Sequence, residues 1–339
     1  MATFVASAVG VDFDLLDIGP LIGAPQNGAT PTSLGLTANG TVTQFFGSGF
    51  QFAAAGPATA GTINRIIVGA DVGTIYDITG LNLSAATFRG WVQVDDNTSA
   101  KAGIFGGDDQ LTGSVFDDRL RGFAGADTIN GGDGSDYLDG GDGNDQVFAG
   151  LGADTITDSG GSNYLRGEEG NDTVAGGAGF DDINGNMGND TESGGLGDDW
   201  VVGGKDQDVL FGDDGGDLVY GNLGDDTCDG GAGADTIRGG QGNDSLTGGA
   251  GNDFVSGDRG DDTMTGGAGA DIFHSSSDAG VDRVLDFSVA DGDRVQLDPG
   301  TTYNMAQVGA DTVITLSAGQ VILVGVQMAT LPPGTVFLA

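Results

Sequence analysis

The chain has 339 residues, of which 68 are glycine, and its 50 acidic against 11 basic residues give a formal net charge of −39. This negative charge repels nucleic acid and anionic lipid, so we expect neither a nucleic-acid partner nor membrane insertion. The single cysteine excludes a disulfide framework within the chain. No apolar run reaches the roughly 18 residues that a membrane-spanning helix needs.

Residues 1–103 carry little charge and contain short apolar or alternating runs that glycine and proline separate. These runs lie at 41–45, 50–52, 63–68 and 74–78. They predict a small β-rich, antiparallel domain, a possible assembly or adhesion module. Residues 11–16 fit a strand or a helical turn equally well, and the polar residues 95–99 predict a loop or linker.

Residues 104–274 repeat with a period of nine and divide into 19 units without a slip in register. Residues 131–139, for example, read Gly-Gly-Asp-Gly-Ser-Asp-Tyr-Leu-Asp. The sixth place is Asp in every unit except at Asn163, and the fourth is Gly except at Phe116 and Asp206. Such a fixed period indicates a repeat architecture.

The spacing within a unit has a physical interpretation. Glycine at places one, two and four permits a tight turn with positive φ, and such a turn points main-chain carbonyls inward. The sixth-place carboxylate adds a charged oxygen, and an oxygen-only site suits calcium. Places seven to nine are polar, apolar and polar, which predicts a three-residue strand with one inward side chain. Two nonapeptides make one closed turn, so units two apart stack.

The inward residues at the eighth place form two predicted stacks, which are apolar except at Glu192 and Cys228. One stack is Leu111, Ile129, Val147, Leu165, Ile183, Val201, Val219, Ile237, Val255 and Phe273. The other is Leu120, Leu138, Ile156, Val174, Glu192, Leu210, Cys228, Leu246 and Met264. Cys228 is expected to act as a small buried apolar residue. Glu192 is either buried at a cost of several kcal/mol or turned outward by a local kink.

The pattern glycine-glycine-x-glycine-x-aspartate-x-apolar-x resembles that of the RTX proteins, which Gram-negative bacteria secrete by the type I route. The resemblance implies an all-β fold, a right-handed parallel β-roll with two nonapeptides per turn. It also implies multiple structural Ca²⁺ ions, each shared between the aspartate of one unit and loop carbonyls of the unit two along. Asn163, with its neutral side chain, interrupts one ligand row.

Carried over to this chain, the resemblance gives two rows of metal ligands. The first row is Asp109, Asp127, Asp145, Asp181, Asp199, Asp217, Asp235, Asp253 and Asp271. The second row is Asp118, Asp136, Asp154, Asp172, Asp190, Asp208, Asp226, Asp244 and Asp262.

Residues 275–339 return to ordinary strand patterns, at 281–287, 294–297, 312–316 and 321–326. A roll needs its last turn covered, so this region is expected to act as a cap. It resembles the C-terminal caps of RTX proteins, and residues 336–339 resemble their secretion ends. Residues 1–5 lack the basic head of a Sec signal. The resemblance therefore implies export through a type I apparatus, without a cleaved N-terminal signal, to the cell surface or medium.

The catalytic residues of common hydrolases are scarce in this sequence. With one histidine, His274, and one cysteine, we expect no zinc-protease helix and no Ser-His or Cys-His pair. The sequence Gly-x-Ser-x-Gly does not occur. The sequence therefore predicts a protein without catalytic residues rather than an enzyme.

Three functions remain open. The first is a secreted structural protein that folds and self-assembles with calcium, as a surface-layer, filament or matrix subunit. The second is an adhesin that calcium makes rigid, whose residues 1–103 bind a glycan or a cell surface. Its candidate aromatics, which also fit a β core, are Phe45, Phe46, Phe50, Phe52 and Trp91. The third is a secreted enzyme with an unfamiliar site, which the scarcity of His and Cys disfavours.

Overall fold

The computed structural model describes residues 106–113, 115–276 and 280–339 with their side chains, and earlier in the chain the backbone of strands β1 to β6. The bounds of these strands are β1 Thr3–Val5, β2 Gln26–Thr30, β3 Ser33–Ala38, β4 Thr41–Phe52, β5 Ala58–Ala70 and β6 Gly73–Ser84. The predictions for residues 11–16 and 95–99, and those for the five aromatic side chains, lie outside the described residues.

Strands β2 to β6 pair antiparallel, each with the next, as the sequence predicts. The two runs at 41–45 and 50–52 form one strand, β4, rather than two. Register shifts against β5 lie on both sides of Ser48, where glycines leave no side chain to hold the pairing. Strand β1 pairs antiparallel with β6 and parallel with β7 (Gln110–Thr112), so it covers an edge of the first roll turn.

The chain forms two compact units, residues 1–157 and 158–339. The second unit begins at Asp158, the first residue of a nonapeptide that has lost its first two glycines. The sequence-based domain limits after residues 103 and 274 stay predictions.

The other described strands of the first unit are parallel and alternate between two sheets. They are β8 Arg119–Ala124, β9 Thr128–Asp133, β10 Tyr137–Asp142, β11 Gln146–Leu151 and β12 Thr155–Thr157. One sheet pairs β7, β9 and β11, and the other pairs β8, β10 and β12. Leu111 lies opposite Ile129, which lies opposite Val147. The register therefore steps by two nonapeptides per turn, as the repeat predicts.

The second unit has the same arrangement of strands. Its repeat strands are β13 Asn163–Glu169, β14 Thr173–Ala175, β15 Asp181–Met187, β16 Thr191–Leu196, β17 Trp200–Lys205, β18 Val209–Asp214, β19 Leu218–Leu223, β20 Thr227–Ala232, β21 Thr236–Gln241, β22 Ser245–Ala250, β23 Phe254–Arg259, β24 Thr263–Ala268 and β25 Ile272–Ser275. Odd-numbered strands pair in one parallel sheet and even-numbered strands in the other.

The C-terminal residues extend both sheets. The strands are β26 Val281–Val284, β27 Arg294–Leu297, β28 Asn304–Val308, β29 Asp311–Thr315, β30 Gln320–Leu323 and β31 Val336–Leu338. Strands β26 and β27 pair parallel with β24 and β25, and then with β30 and β31. Strands β28 to β30 turn antiparallel. The four predicted strands are thus β26, β27, β29 and β30.

Helix is scarce in the part of the chain that the structure describes. A single turn of 3-10 helix, Met328–Thr330, precedes β31. None of the described residues forms a helix of membrane-spanning length and hydropathy.

Both predicted stacks are buried between the two sheets. Every inward residue of the array, Glu192 and Cys228 included, is at most 1% exposed. Burying one such aliphatic side chain contributes about 1.5–3 kcal/mol. Folding one nonapeptide buries one such side chain but orders the backbone of nine residues. The conformational entropy cost of this ordering is roughly 1–2 kcal/mol per residue. Apolar burial alone is therefore too small to hold the roll.

Close contact between stacked loops explains the fourth-place glycine. Gly260 has φ +139°, and a Cβ on it would collide with the carbonyl oxygen of Gly242, one turn earlier. Loops that touch through their backbones leave no room for a side chain at this place. The loop carbonyls are therefore brought close to the sixth-place aspartates.

Candidate metal centre

The sixth-place aspartates form hydrogen-bonded ladders along the roll. The backbone N–H of Asp109 donates to Oδ1 of Asp127 at 2.7 Å, and the N–H of Asp127 donates to Oδ1 of Asp145 at 2.7 Å. The same bond recurs through the second unit, up to Asp253 N–H and Asp271 Oδ1 at 3.0 Å. The five aspartates named here lie immediately before strands. One carboxylate oxygen is therefore fixed by the adjacent turn.

The second carboxylate oxygen, Oδ2, is buried and in many units has no hydrogen-bond partner among the described residues. This holds for Asp127, Asp136, Asp181, Asp190, Asp199, Asp208, Asp217, Asp226, Asp235, Asp244, Asp253, Asp262 and Asp271. A buried acceptor without a partner costs about 1–3 kcal/mol, and a charged one costs more. A repeated cost of this kind indicates that a cation completes the structure.

These oxygens lie beside first-place glycines, and several of them also face a carbonyl of the next turn. A Cβ built on Gly248 would lie 2.6 Å from Oδ2 of Asp253 and 2.5 Å from the carbonyl oxygen of Gly266. Gly212 gives the same arrangement with Asp217 and Gly230. The missing Cβ therefore lets a carboxylate oxygen and a carbonyl oxygen converge. Hard oxygen donors in a flexible loop are the ligands that calcium prefers.

Side chains alone do not complete such a site. Among the described residues, no three His, Cys, Asp or Glu side chains form a group that could hold a metal. Calcium takes six to eight oxygens, so main-chain carbonyls would have to supply most of them. The sixth-place aspartates and glycine-rich loops have the donor chemistry that calcium needs.

Burial changes the protonation of the aspartates. It raises the pKa of Asp127 to about 7, although the hydrogen bond from the Asp109 backbone lowers it and neighbouring carboxylates raise it further. The pKa is also raised to about 7 at Asp136, Asp181, Asp208, Asp217 and Asp244. The charged form is thus disfavoured until a cation compensates it.

Comparison with known proteins identifies the repeat. The model of the RTX calcium-binding nonapeptide repeat matches six adjoining or overlapping segments that together span residues 105–281, more than half of the chain. The chain belongs to the RTX calcium-binding repeat family. Its parallel β-roll is therefore an RTX roll, and calcium binding is the property that the repeats imply.

Two solved structures resemble parts of this chain. One is a subunit of the mannuronan C5-epimerase from Azotobacter vinelandii, 25% identical over 35% of this chain and 78% of its own, with a TM-score of 0.27. The other is an extracellular lipase from Serratia marcescens, 22% identical over 68% of this chain and 40% of its own, with a TM-score of 0.30. No curated protein matches the chain.

Two departures from the repeat, Asn163 and Glu192, affect the candidate sites, and the structure places both. Asn163 is buried and its backbone N–H donates to Oδ1 of Asp181 at 3.0 Å, so an amide occupies the position of a ligand carboxylate. Glu192 is fully buried, and β16 keeps its register, with Glu192 opposite Val174 and Leu210. The alternative of an outward kink at Glu192 is therefore wrong.

The aspartate ladders extend beyond the nonapeptide array into the C-terminal region, which sequence reasoning missed. Asp271 N–H donates to Oδ1 of Asp293 at 3.1 Å. Arg283 lies opposite Thr263, so Asp282 takes the place next to Asp262 in the other ladder, and it is fully buried.

A changed spacing hid both aspartates. The interval from Asp271 to Asp293 is 22 residues, whereas the repeat interval, as from Asp253 to Asp271, is 18 residues. The sequence did contain a signal for both aspartates, namely the pattern Asp-x-apolar at the start of a strand.

The expectation that no Ser-His pair exists is wrong. The Ser256 hydroxyl lies 3.0 Å from Nδ1 of His274, and Nε2 of His274 lies 3.3 Å from Oδ1 of Asp298. Ser256 is 0% exposed, and its hydroxyl also donates to Asp258 at 2.8 Å. A buried hydroxyl engaged with a carboxylate cannot reach a substrate, so the pair stabilises the last turns of the roll.

Proposed function

We propose that this protein is a secreted calcium-binding structural protein that folds, and then self-assembles, when it meets calcium outside the cell. The observation that carries the proposal is the series of buried Oδ2 atoms that have no hydrogen-bond partner among the described residues, as at Asp127 and Asp136 in the first unit and at Asp244 and Asp253 in the second. The ions would neutralise them. We assign the ligands to the eighteen sixth-place aspartates from Asp109 to Asp271, each with carbonyl oxygens of a stacked loop.

The aspartate ladders explain why folding and calcium binding would be coupled. The array contributes most of the net charge, because 36 of the acidic residues and only six basic residues lie between Ile104 and His274. Stacking brings these carboxylates together at about one strand spacing, roughly 4.8 Å. Without cations, repulsion opposes the stack. The free energy of ion binding would then be part of the free energy of folding.

A calcium titration tests this coupling. We expect a coil-like circular dichroism spectrum in chelator that becomes β-rich at calcium concentrations of about 10⁻⁴–10⁻³ M, the range of extracellular calcium modules. Magnesium should not substitute for calcium, because magnesium requires shorter metal–oxygen distances and a more regular octahedral geometry. A spectrum that calcium leaves unchanged would reject the proposal.

Calcium-dependent folding also supports export in an unfolded state. The cytosol holds too little calcium to load sites of this affinity, so the chain would remain unfolded and able to pass a type I secretion apparatus. The roll would fold in the medium or at the surface of a Gram-negative cell. Assembly into a surface layer, filament or matrix would follow there, because bound ions remove much of the repulsion between copies.

A second candidate function is that of an adhesin made rigid by calcium. The aromatic residues first considered for sugar binding lie before residue 106, where no side chain is described. In the second unit, however, Phe180 and Trp200 form an edge-to-face pair with ring centroids 5.7 Å apart, and they are 40% and 51% exposed. Exposed rings of this kind can stack on sugars. Loss of glycan binding in Trp200→Ala, but not in Tyr303→Ala, would favour the adhesin.

A further inference from the structure

Glu192 is a carboxylate in the apolar core of the second unit. It stands at the eighth place, between Val174 and Leu210 in register, where the other inward residues of its stack are apolar. The residue is 0% exposed, and neither carboxylate oxygen has a hydrogen-bond partner among the described residues. A charge left in this state is costly, so it must be neutralised by a proton or by a cation.

The side chain turns from the core towards the loop that carries Asp190. A Cβ on Gly185 would lie 2.8 Å from Oε1 of Glu192, and Oδ2 of Asp190 lies closer still to the same point. That Oδ2 atom is itself buried without a partner among the described residues. Two carboxylate oxygens from different side chains therefore face one position above Gly185.

The corresponding site two turns later shows how the Asp190 site differs from a site with an ordinary eighth-place residue. Cys228 and Asp226 occupy the same places in their unit as Glu192 and Asp190. Above Gly221, the oxygens nearest to a Cβ position are Oδ2 of Asp226 and the carbonyl oxygen of Gly239, the latter at 2.7 Å. The eighth-place side chain adds no oxygen there. The Asp190 site differs by one anionic oxygen.

The charge of Arg166 acts on Glu192, but the hydrogen bonds of its guanidinium go to other groups. Burial, together with the carboxylates of Asp190 and Asp208, raises the pKa of Glu192 well above its usual range, and the charge of Arg166 lowers it by less. The guanidinium of Arg166 instead binds Asp182, with Nη2 2.7 Å from Oδ1 and Nη1 2.6 Å from the carbonyl oxygen. Arg166 therefore leaves both carboxylate oxygens of Glu192 without a hydrogen-bond partner among the described residues, and either a proton or a bound cation has to compensate them.

We propose that Glu192 is an additional calcium ligand, which joins the Asp190 site from the core side. The inference rests on the proposed function, in which the sixth-place aspartates bind calcium. Calcium accepts six to eight oxygens in flexible geometry, and a second carboxylate strengthens a site through its charge. Glu192, which departs from the repeat, would thus give the Asp190 site a second carboxylate, whereas the eighth-place residues of the other units supply none.

Equilibrium dialysis with radioactive calcium tests this inference on the full chain. Glu192→Gln removes the charge at constant shape, and Glu192→Val restores the apolar residue of the repeat. We expect both variants to bind one calcium ion fewer than the wild type near the folding midpoint, and to need more calcium to fold. The matched control is Cys228→Val, which changes the same stack beside Asp226 and should leave the number of ions unchanged.

Other outcomes reject the inference. If both variants bind as many ions as the wild type, at an unchanged or lower midpoint, then Glu192 carries a proton instead of contacting calcium. A protonated-carboxyl band in the infrared difference spectrum of wild type minus Glu192→Gln, with calcium present, would also reject it. A wild type that binds no calcium would overturn the proposed function itself and this inference with it.

Discussion

At the scale of single residues, the roll depends on carboxylates that are costly to bury. Asp190 illustrates the balance, because its Oδ1 accepts the N–H of Asp172 at 2.8 Å while its Oδ2 is buried without a partner among the described residues. The hydrogen bond to Oδ1 stabilises the stack of turns, whereas burial of the unpaired Oδ2 destabilises it. Any change that supplies or removes a positive charge at Oδ2 should therefore shift the folding equilibrium.

Asn163→Asp should lower the calcium concentration at which the protein folds. Asn163 is buried at a ligand position and donates its N–H to Asp181, so aspartate there would complete the interrupted row. Circular dichroism against calcium concentration measures the midpoint. The control Asn252→Asp adds the same charge in a loop at the surface and keeps the acceptor that binds Ala270 N–H. An equal midpoint in wild type and Asn163→Asp would show that this position does not limit folding.

Without calcium, acid should promote folding. Burial raises the pKa of Asp127 from 3.8 to about 7 in the folded chain, so the folded state binds protons more readily than the unfolded one. This contribution to the free energy of unfolding is fully present below about pH 4 and is lost as the pH rises through 7. In metal-free buffer, the β signal in circular dichroism should therefore be larger at pH 5 than at pH 8.

With calcium present the dependence on pH should reverse, because protons then compete with the ions for the same oxygens. The calcium midpoint should increase as the pH falls from 8 to 5. Equal signals at both pH values in metal-free buffer would mean that the buried carboxylates do not govern folding.

At the scale of elements, the ladders of the array continue into strands that the repeat pattern does not reach. Asp293 accepts the N–H of Asp271 through Oδ1 at 3.1 Å and that of Ser288 through Oδ2 at 2.7 Å. It thus holds β27 against the last repeat strand, β25. The C-terminal strands in this respect add to both sheets of the roll, and the role of this region as a cap stays a prediction.

Asp293→Ala should loosen the end of the roll. Each hydrogen bond to a carboxylate contributes about 1.5–3 kcal/mol, and the substitution removes two. We expect a lower midpoint of thermal unfolding in saturating calcium and faster proteolysis near β27. Asp291→Ala removes an exposed carboxylate from the same loop and serves as the control. Equal unfolding midpoints for the two variants would show that the ladder ends at the array.

At the scale of the whole molecule, the proposed assembly is expected to depend on charge. A net charge of −39 should keep copies apart in chelator, and ions bound to the array would remove much of that repulsion. Contacts between unlike surfaces that do not close on themselves give filaments or lattices. Calcium would then be the trigger of assembly as well as a structural ion.

Light scattering on the full-length protein tests assembly. We expect a monomer in chelator and ordered polymers or sheets at millimolar calcium, with magnesium at equal ionic strength as the control for simple screening. Deleting residues 1–103 is a poor test, because it also removes β1, which pairs with β7 at the first turn. A protein that folds with calcium but stays monomeric at high concentration would favour the adhesin.

The sequence by itself determined the repeating part of this protein. A period of nine places Gly, Asp and one apolar residue at fixed positions, and each turn contacts only its neighbours. Local pattern and register are therefore enough to predict where the strands begin, the buried stacks and the aspartate rows. Most array strands run for six residues rather than the predicted three, because the pairing continues into the glycine-rich start of the next unit, as in Arg119–Ala124. Asp109 and Asp127, which lie one turn apart, show this directly in their hydrogen bond.

Tertiary structure alone decided what the period does not encode. Insertions hid Asp282 and Asp293, because a changed spacing breaks the register in sequence while the strands still stack in space. The contact between Ser256 and His274 arises from stacking, which no motif records. The orientation of Glu192 depended on whether β16 stays in register. Strand β16 stays in register because β14 and β18 pair with it on its two sides and fix its backbone. The carboxylate of Glu192 therefore turns towards Asp190.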